Sequence, residues 1–151
     1  MLSINQNNNM RTIFSLLLLL FLSLNLEAQT YSVEVEFTNI SKPTGSLVIA
    51  IFNNESSYKN EENPYLKKIV PIHQKGKMSI VIDLPKGSYV IAVFQDLNNN
   101  KTLDYNFIGI PKEPFAFSNN PSCFEFPRYK DLQIHIKSNQ KISLKLINLN
   151  G

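Results

Sequence analysis

The run Asp96-Leu97-Asn98-Asn99-Asn100-Lys101-Thr102-Leu103-Asp104 places side-chain oxygens at its first, third, fifth and ninth positions, with the Thr102 carbonyl at the seventh. A hard cation such as calcium takes about six to eight oxygens at roughly 2.3 to 2.6 Å, and this spacing is the ligand order of an EF-hand-type calcium loop. Asp96, Asn98, Asn100, Thr102 and Asp104 are therefore candidate metal ligands, and Glu113 is a further one if the chain folds back. Lys101 stands where such a loop uses Gly for its bend, and Phe107 stands where it uses a bidentate Glu. With two carboxylates and a lysine in the loop, the expected calcium affinity is on the order of 10⁻⁴ to 10⁻³ M. The same residues also suit a metal-free Asx turn, in which Asp and Asn side chains bond their own backbone. Both readings stay open at this level.

Other chemistry finds less support. His73 and His135 fall on predicted strands with no G-x-S-x-G elbow nearby, so a serine nucleophile lacks its positioned base. Cys123 and His135 are near in sequence, which says nothing about distance in space. Asp96 and Asp104, separated by asparagines, suit ion binding better than acid–base catalysis. No catalytic residue is expected. Two distant histidines leave a zinc site short of ligands, and one cysteine excludes an intrachain disulfide framework. Fifteen Lys and Arg against twelve Asp and Glu give a net charge of +3. The lysines are scattered, so the basic face that a nucleic acid requires is not expected.

The elements that must position the loop read as strands. Tyr31, Val33, Val35 and Phe37 alternate with Ser32, Glu34, Glu36 and Thr38, the mark of a strand with one wet face. Gly45 to Phe52 is apolar on both faces, as a buried strand would be. Asn53 to Pro64 is polar and admits one helical turn over Ser57 to Glu62. Leu66 to His73 is a weaker strand, and Pro71 places it at a sheet edge or a bulge. Met78, Ile80 and Ile82 alternate next. The turn Leu84-Pro85-Lys86-Gly87 follows, with Gly87 able to take a positive φ. Ser88 to Gln95 is apolar on both faces and belongs at the sheet centre. Leu132 to Lys137 and Lys141 to Ile147 close the chain around the turn Ser138-Asn139-Gln140. Seven short strands indicate an all-β antiparallel β-sandwich.

Ahead of this domain, Arg11 to Ala28 reads as a secretory signal with an apolar core from Ile13 to Leu24. That core is shorter than the about 20 residues that span a bilayer, so no permanent membrane span is expected. Met10 is the expected start, because the Asn-rich stretch before it is foreign to such signals. The expected organisation is a leader over 1–28 and one domain over 29–151, exported to the periplasm or the extracellular space of a bacterium.

Two blocks carry a family resemblance. Leu84-Pro85-Lys86-Gly87-Ser88-Tyr89-Val90-Ile91-Ala92-Val93-Phe94-Gln95-Asp96 with the Asn-rich loop is one; Asn106 to Asn120, containing Gly109-Ile110-Pro111-Lys112-Glu113 and Phe117-Ser118-Asn119-Asn120, is the other. Together they resemble the bacterial family catalogued as domain of unknown function 2141, over roughly Val33 to Leu146. Gln95 stands where members often have His, and Lys101 replaces a common Gly. The resemblance implies an exported β-sandwich of the transthyretin-like or carboxypeptidase-regulatory-like kind, and it implies no established activity.

The prolines of the second block hold an extended path. Phe115, Phe117, Phe124, Phe126 and Tyr129 follow, and they are expected to cover the open end of the sandwich rather than meet a sugar or a partner. Cys123 reads as a small hydrophobe in this cover. Two functions emerge. One is a binding or envelope accessory module with a calcium-ordered loop. The other is a metal-free structural or protein-interaction domain that uses the Phe115–Tyr129 segment or a sheet edge.

Overall fold

The computed structural model describes residues 10–15, 29–122 and 126–149. The leader outside 10–15, Cys123 and Phe124 lie outside the described residues. Among the described residues no helix is long and apolar enough to cross a membrane.

The alternation in β1 (Thr30–Ile40) turns Val33, Val35 and Phe37 inward, all fully buried, and leaves Glu34 and Glu36 on the outer face. There Lys141 reaches both carboxylates at 3.3 and 3.4 Å. Pairs to so exposed a lysine contribute little, so burial of the inner face is what holds the strand. Its neighbours are β4 (Gly76–Pro85), antiparallel, and β8 (Gln140–Lys145), parallel, which make a three-stranded sheet.

The second sheet runs β3 (Leu66–Pro71), β2 (Ser46–Phe52), β5 (Gly87–Asp96), β6 (Phe115–Phe117), with β7 (Ile134–Ile136) also paired to β5. Pro71 does end an edge strand, and β5 does occupy the centre, bonded to three neighbours. Between the sheets Leu47, Ile49, Ile51, Ile91 and Val93 pack against Val33, Val35, Phe37, Ile82 and Leu144 as one core. The all-β sandwich architecture is thus present, with eight strands among the described residues.

Several details depart from the sequence reading. The β1–β8 pair is parallel, and β7 and β8 lie in different sheets, so residues 137–139 form a crossing between layers. Beyond β8, Leu146 N–H donates to Thr38 O at 3.0 Å while Ile147 and Phe115 exchange both backbone bonds, which stitches one sheet to the other. Gly87 has no positive φ. It is tight because a Cβ there would crowd the Tyr89 ring at 3.1 Å, whose hydroxyl donates to Pro85 O at 3.1 Å.

The double apolarity of β2 and β5 also has a different cause from sandwich burial alone. Their outward residues Phe52 and Val90 lie under Tyr58, Tyr129 and Leu132, from α1 (Glu55–Asn60) and α2 (Tyr129–Leu132). α1 starts two residues before its expected turn because Asn54 caps it, accepting from Ser57 N–H at 2.9 Å. Leu132, expected at the start of a strand, instead ends α2.

Ser118 fastens this cover to β5. Its hydroxyl accepts from Ile91 N–H at 3.1 Å and donates to Leu132 O at 2.6 Å, in a fully buried position. Ser118→Ala leaves the buried Ile91 amide without that acceptor, so stability in urea should fall by about 1 to 3 kcal/mol. An unchanged unfolding midpoint would contradict this role.

Candidate functional site

β5 ends on Gln95 and Asp96, and both side chains are buried, at 0% and 1% exposure. Gln95 lies on the inner face and donates through Nε2 to Lys42 O and Thr44 O, each at 2.9 Å, which fixes the β1–β2 loop beside the site; its Oε1 has no partner among the described residues. Gly45 follows that loop with φ +75°, and a Cβ there would overlap the Asp96 carbonyl oxygen. Only glycine meets both conditions, an approach of backbone to backbone and a left-handed conformation.

The loop then curls on itself. Asp96 Oδ1 accepts from Asn100 N–H at 3.2 Å and Oδ2 accepts from Lys101 N–H at 2.9 Å. Asn98 Oδ1 accepts from Asn100 N–H at 3.1 Å, and Asn100 Oδ1 accepts from Thr102 N–H at 2.9 Å. These bonds orient the two amides so that their Nδ2 groups converge on Asp104 Oδ2, at 2.6 and 3.1 Å. Lys101 takes φ 64° and Asn99 takes φ 59°. The sharp bend for which a calcium loop uses Gly is therefore made here with a lysine, at a cost of about 1 to 2 kcal/mol.

Glu113 does fold back, from within the second motif block. It is 4% exposed, with Oε1 accepting from Leu97 N–H at 2.7 Å and Oε2 from Asp104 N–H at 3.3 Å. Lys112 N–H donates to Asp104 O at 2.8 Å, and Gln95 N–H donates to Pro114 O at 2.8 Å. One carboxylate thus holds both ends of the loop, which gives a physical reason for the two sequence blocks to occur together. At the start of the second block Asn106 Oδ1 accepts from Ile108 and Ile110 N–H at 3.0 and 2.9 Å, and holds a tight turn.

Asp96, Asn98, Asn100 and Asp104 are accordingly brought together, and Glu113 adjoins them through the loop backbone. Thr102 enters through its backbone N–H. Oxygen donors of this kind fit a hard cation. Among the described residues, however, no three His, Cys, Asp or Glu side chains group closely enough to hold a metal by themselves. Neutral amide and carbonyl oxygens would have to supply much of the coordination.

The remaining residues singled out by type sit elsewhere. Ser88 Oγ and His135 Nδ1 meet at 2.8 Å across the β5–β7 ladder, as an exposed cross-strand pair. His73 lies in the connection after β3. Phe115 and Tyr129 are buried while Phe126 is 59% exposed, and these rings cover the outer face of the five-stranded sheet rather than an open end. Sequence reasoning missed the holding role of Gln95 and the close approach of Gly45, because neither has a local signature. The Ser118-Asn119-Asn120 run was visible as a motif but not as a clamp: Asn119 Nδ2 donates to Asp131 O at 3.0 Å, and Asn120 exchanges bonds with Ser143 O and Lys145 N–H at 2.8 and 2.7 Å.

The fold and the paired blocks define a small β-sandwich protein with a carboxylate-tied Asn-rich loop. The profile of a bacterial family, described as an uncharacterized protein conserved in bacteria (DUF2141), matches residues 35–143, and the chain belongs to this family. No curated protein and no solved structure matches the chain.

Two substitutions test the loop. Glu113→Gln sets an amide NH2 against one of two backbone N–H donors and should cost about 1 to 3 kcal/mol, with faster hydrogen exchange at Leu97 or Asp104. Lys101→Gly removes the left-handed penalty and should raise stability by about 0.5 to 1 kcal/mol in urea titrations; a loss would argue against that backbone conformation.

Proposed function

We propose that this family member is an exported binding or envelope accessory module in which calcium orders the 96–104 loop. The observation that supports it most is the tight curl of Asp96, Asn98 and Asn100, whose side-chain oxygens hold backbone N–H groups while both amide Nδ2 groups meet Asp104 Oδ2, with Lys101 at φ 64° in the place of the usual Gly. The two amide N–H dipoles on Asp104 Oδ2 partly offset the charge of this carboxylate, and a cation would take over that task once the amide oxygens turned inward. Asp96, Asn98, Asn100, Asp104 and the Thr102 carbonyl would hold the ion, and Glu113 would keep the loop ends in register. The affinity would be weak, on the order of 10⁻⁴ to 10⁻³ M, since the donors are largely neutral. The role is binding rather than catalysis.

A second reading has its own observation. Both oxygens of Asp96 and both of Glu113 already accept backbone N–H groups, so the loop is closed without an ion. The domain would then be structural or would meet a protein partner. A sheet-edge contact through β3 is disfavoured within that reading, because Lys67, Lys68 and Pro71 blunt the edge.

Thermal melting in calcium separates the two. Ten times the dissociation constant of calcium adds about 1.4 kcal/mol to the folded state, a rise of several degrees in Tm. Asn98→Ala with Asn100→Ala, on the exposed rim, should abolish the rise. Equal melting with calcium and with chelator would exclude the calcium reading.

A further inference from the structure

α1, α2 and the Phe126 segment cover only part of the outer face of the five-stranded sheet. Beside them lies a cavity of about 370 Å³, floored by Val48, Ala50 and Ala92. This volume falls within the range of small-molecule sites, which are apolar clefts with a few placed polar groups. Tyr58 and Phe126, stacked at 5.5 Å, form one wall, and Tyr105 of the loop after Asp104 belongs to the other. Phe126 and Tyr105 remain 59% and 44% exposed, so the mouth keeps large ring surfaces in water. Ring faces and edges at such spacing accept a planar aromatic body.

The charge of the lining narrows the occupant. Lys67 projects from β3 and Lys101 from the loop, and both line the cavity. Among the described residues the ion pairs engage Lys59, Lys77, Lys141 and Arg128, and neither cavity lysine has one. Glu61, the acid of the lining, acts on Tyr58 and Tyr105: burial first, and the Glu61 charge second, raise both phenols above their ordinary pKa. Two ammonium groups against one carboxylate leave an excess of positive charge over an apolar, ring-walled floor. An apolar ligand without charge would leave both lysines unanswered, and a cation would meet repulsion from them.

We propose that this cavity binds a small amphipathic anion, an aromatic body bearing one carboxylate, sulfonate or phosphate, with its rings on the sheet and its anion between Lys67 and Lys101. The site uses the wall of the Asn-rich loop but not its oxygens, so it stands or falls apart from calcium.

A pair of probes that share a ring system tests it: 8-anilinonaphthalene-1-sulfonate, which is anionic, and N-phenyl-1-naphthylamine, which is neutral. Fluorescence titration of the full chain in chelator should give saturable binding of the anionic probe at one site per chain. Lys67→Glu with Lys101→Glu should weaken the anionic probe at least tenfold and the neutral one less than twofold, with the cooperative melt kept. Ala50→Phe, which fills the floor, should weaken both. Should the double reversal unfold the protein, salt replaces it: sodium chloride must weaken the anionic probe and leave the neutral one unchanged. No saturable binding, or equal effects on the two probes, would overturn the proposal.

Discussion

A strand that is apolar on both faces and carries unpaired backbone groups on both edges is stable only when it is enclosed on all four sides. β5 is such a strand, with Tyr89, Ile91 and Val93 in the inter-sheet core and Val90 under the helical cover. β2 takes one edge, and β6 and β7 pair with successive stretches of the chain. Ser118 satisfies the amide of Ile91 in the gap between those stretches. The short helices, the rings of Phe115, Phe117, Phe126 and Tyr129 and the Ser-Asn-Asn clamp all answer this enclosure. Each fully buried Ile, Val or Phe contributes about 1.5 to 3 kcal/mol before chain entropy is set against it, so the concentration of such residues on β1, β2 and β5 decides where the core lies.

Where β5 leaves the core, the polar problem begins. The backbone from Leu97 to Thr102 has no ladder to join, and the N–H groups of Leu97, Asn100, Lys101 and Thr102 are taken by side chains: Glu113, Asp96, Asn98 and Asn100. Asparagine suits this work because its amide accepts from the chain with one end and donates with the other. Asp104 receives two such donors at once. A loop built this way is shaped before any ligand arrives. That preorganisation makes a stable wall, and the adjacent ring-walled cavity borrows the same rigidity.

Much of this was legible in the chain. Period-two alternation located β1, apolarity on both faces located β5, Pro71 marked an edge, and the oxygen spacing after β5 picked out a loop whose Asp96, Asn98, Asn100 and Asp104 side chains come together. What escaped notice was non-local. Gly87 looked like a turn residue, yet its constraint is the Tyr89 ring. The three-residue strand β6 is too short to show a period, and its backbone bonds come from β5. The two apolar faces of β2 indicated burial on both sides but not that helices and rings cover the outer one, since periodicity reports burial and not what does the burying.

By itself, then, the sequence determined which residues are apolar in which phase, and where backbone groups must find side-chain partners. Those are local properties of residue type and spacing, and they follow from the geometry of a strand. Only the tertiary structure decided that β8 lies parallel to β1, that Glu113 closes the 96–104 loop, and that Lys67 and Lys101 share a cavity. These depend on how distant segments pack, because register, crossing and partner choice are settled by the whole core at once rather than by any stretch of it.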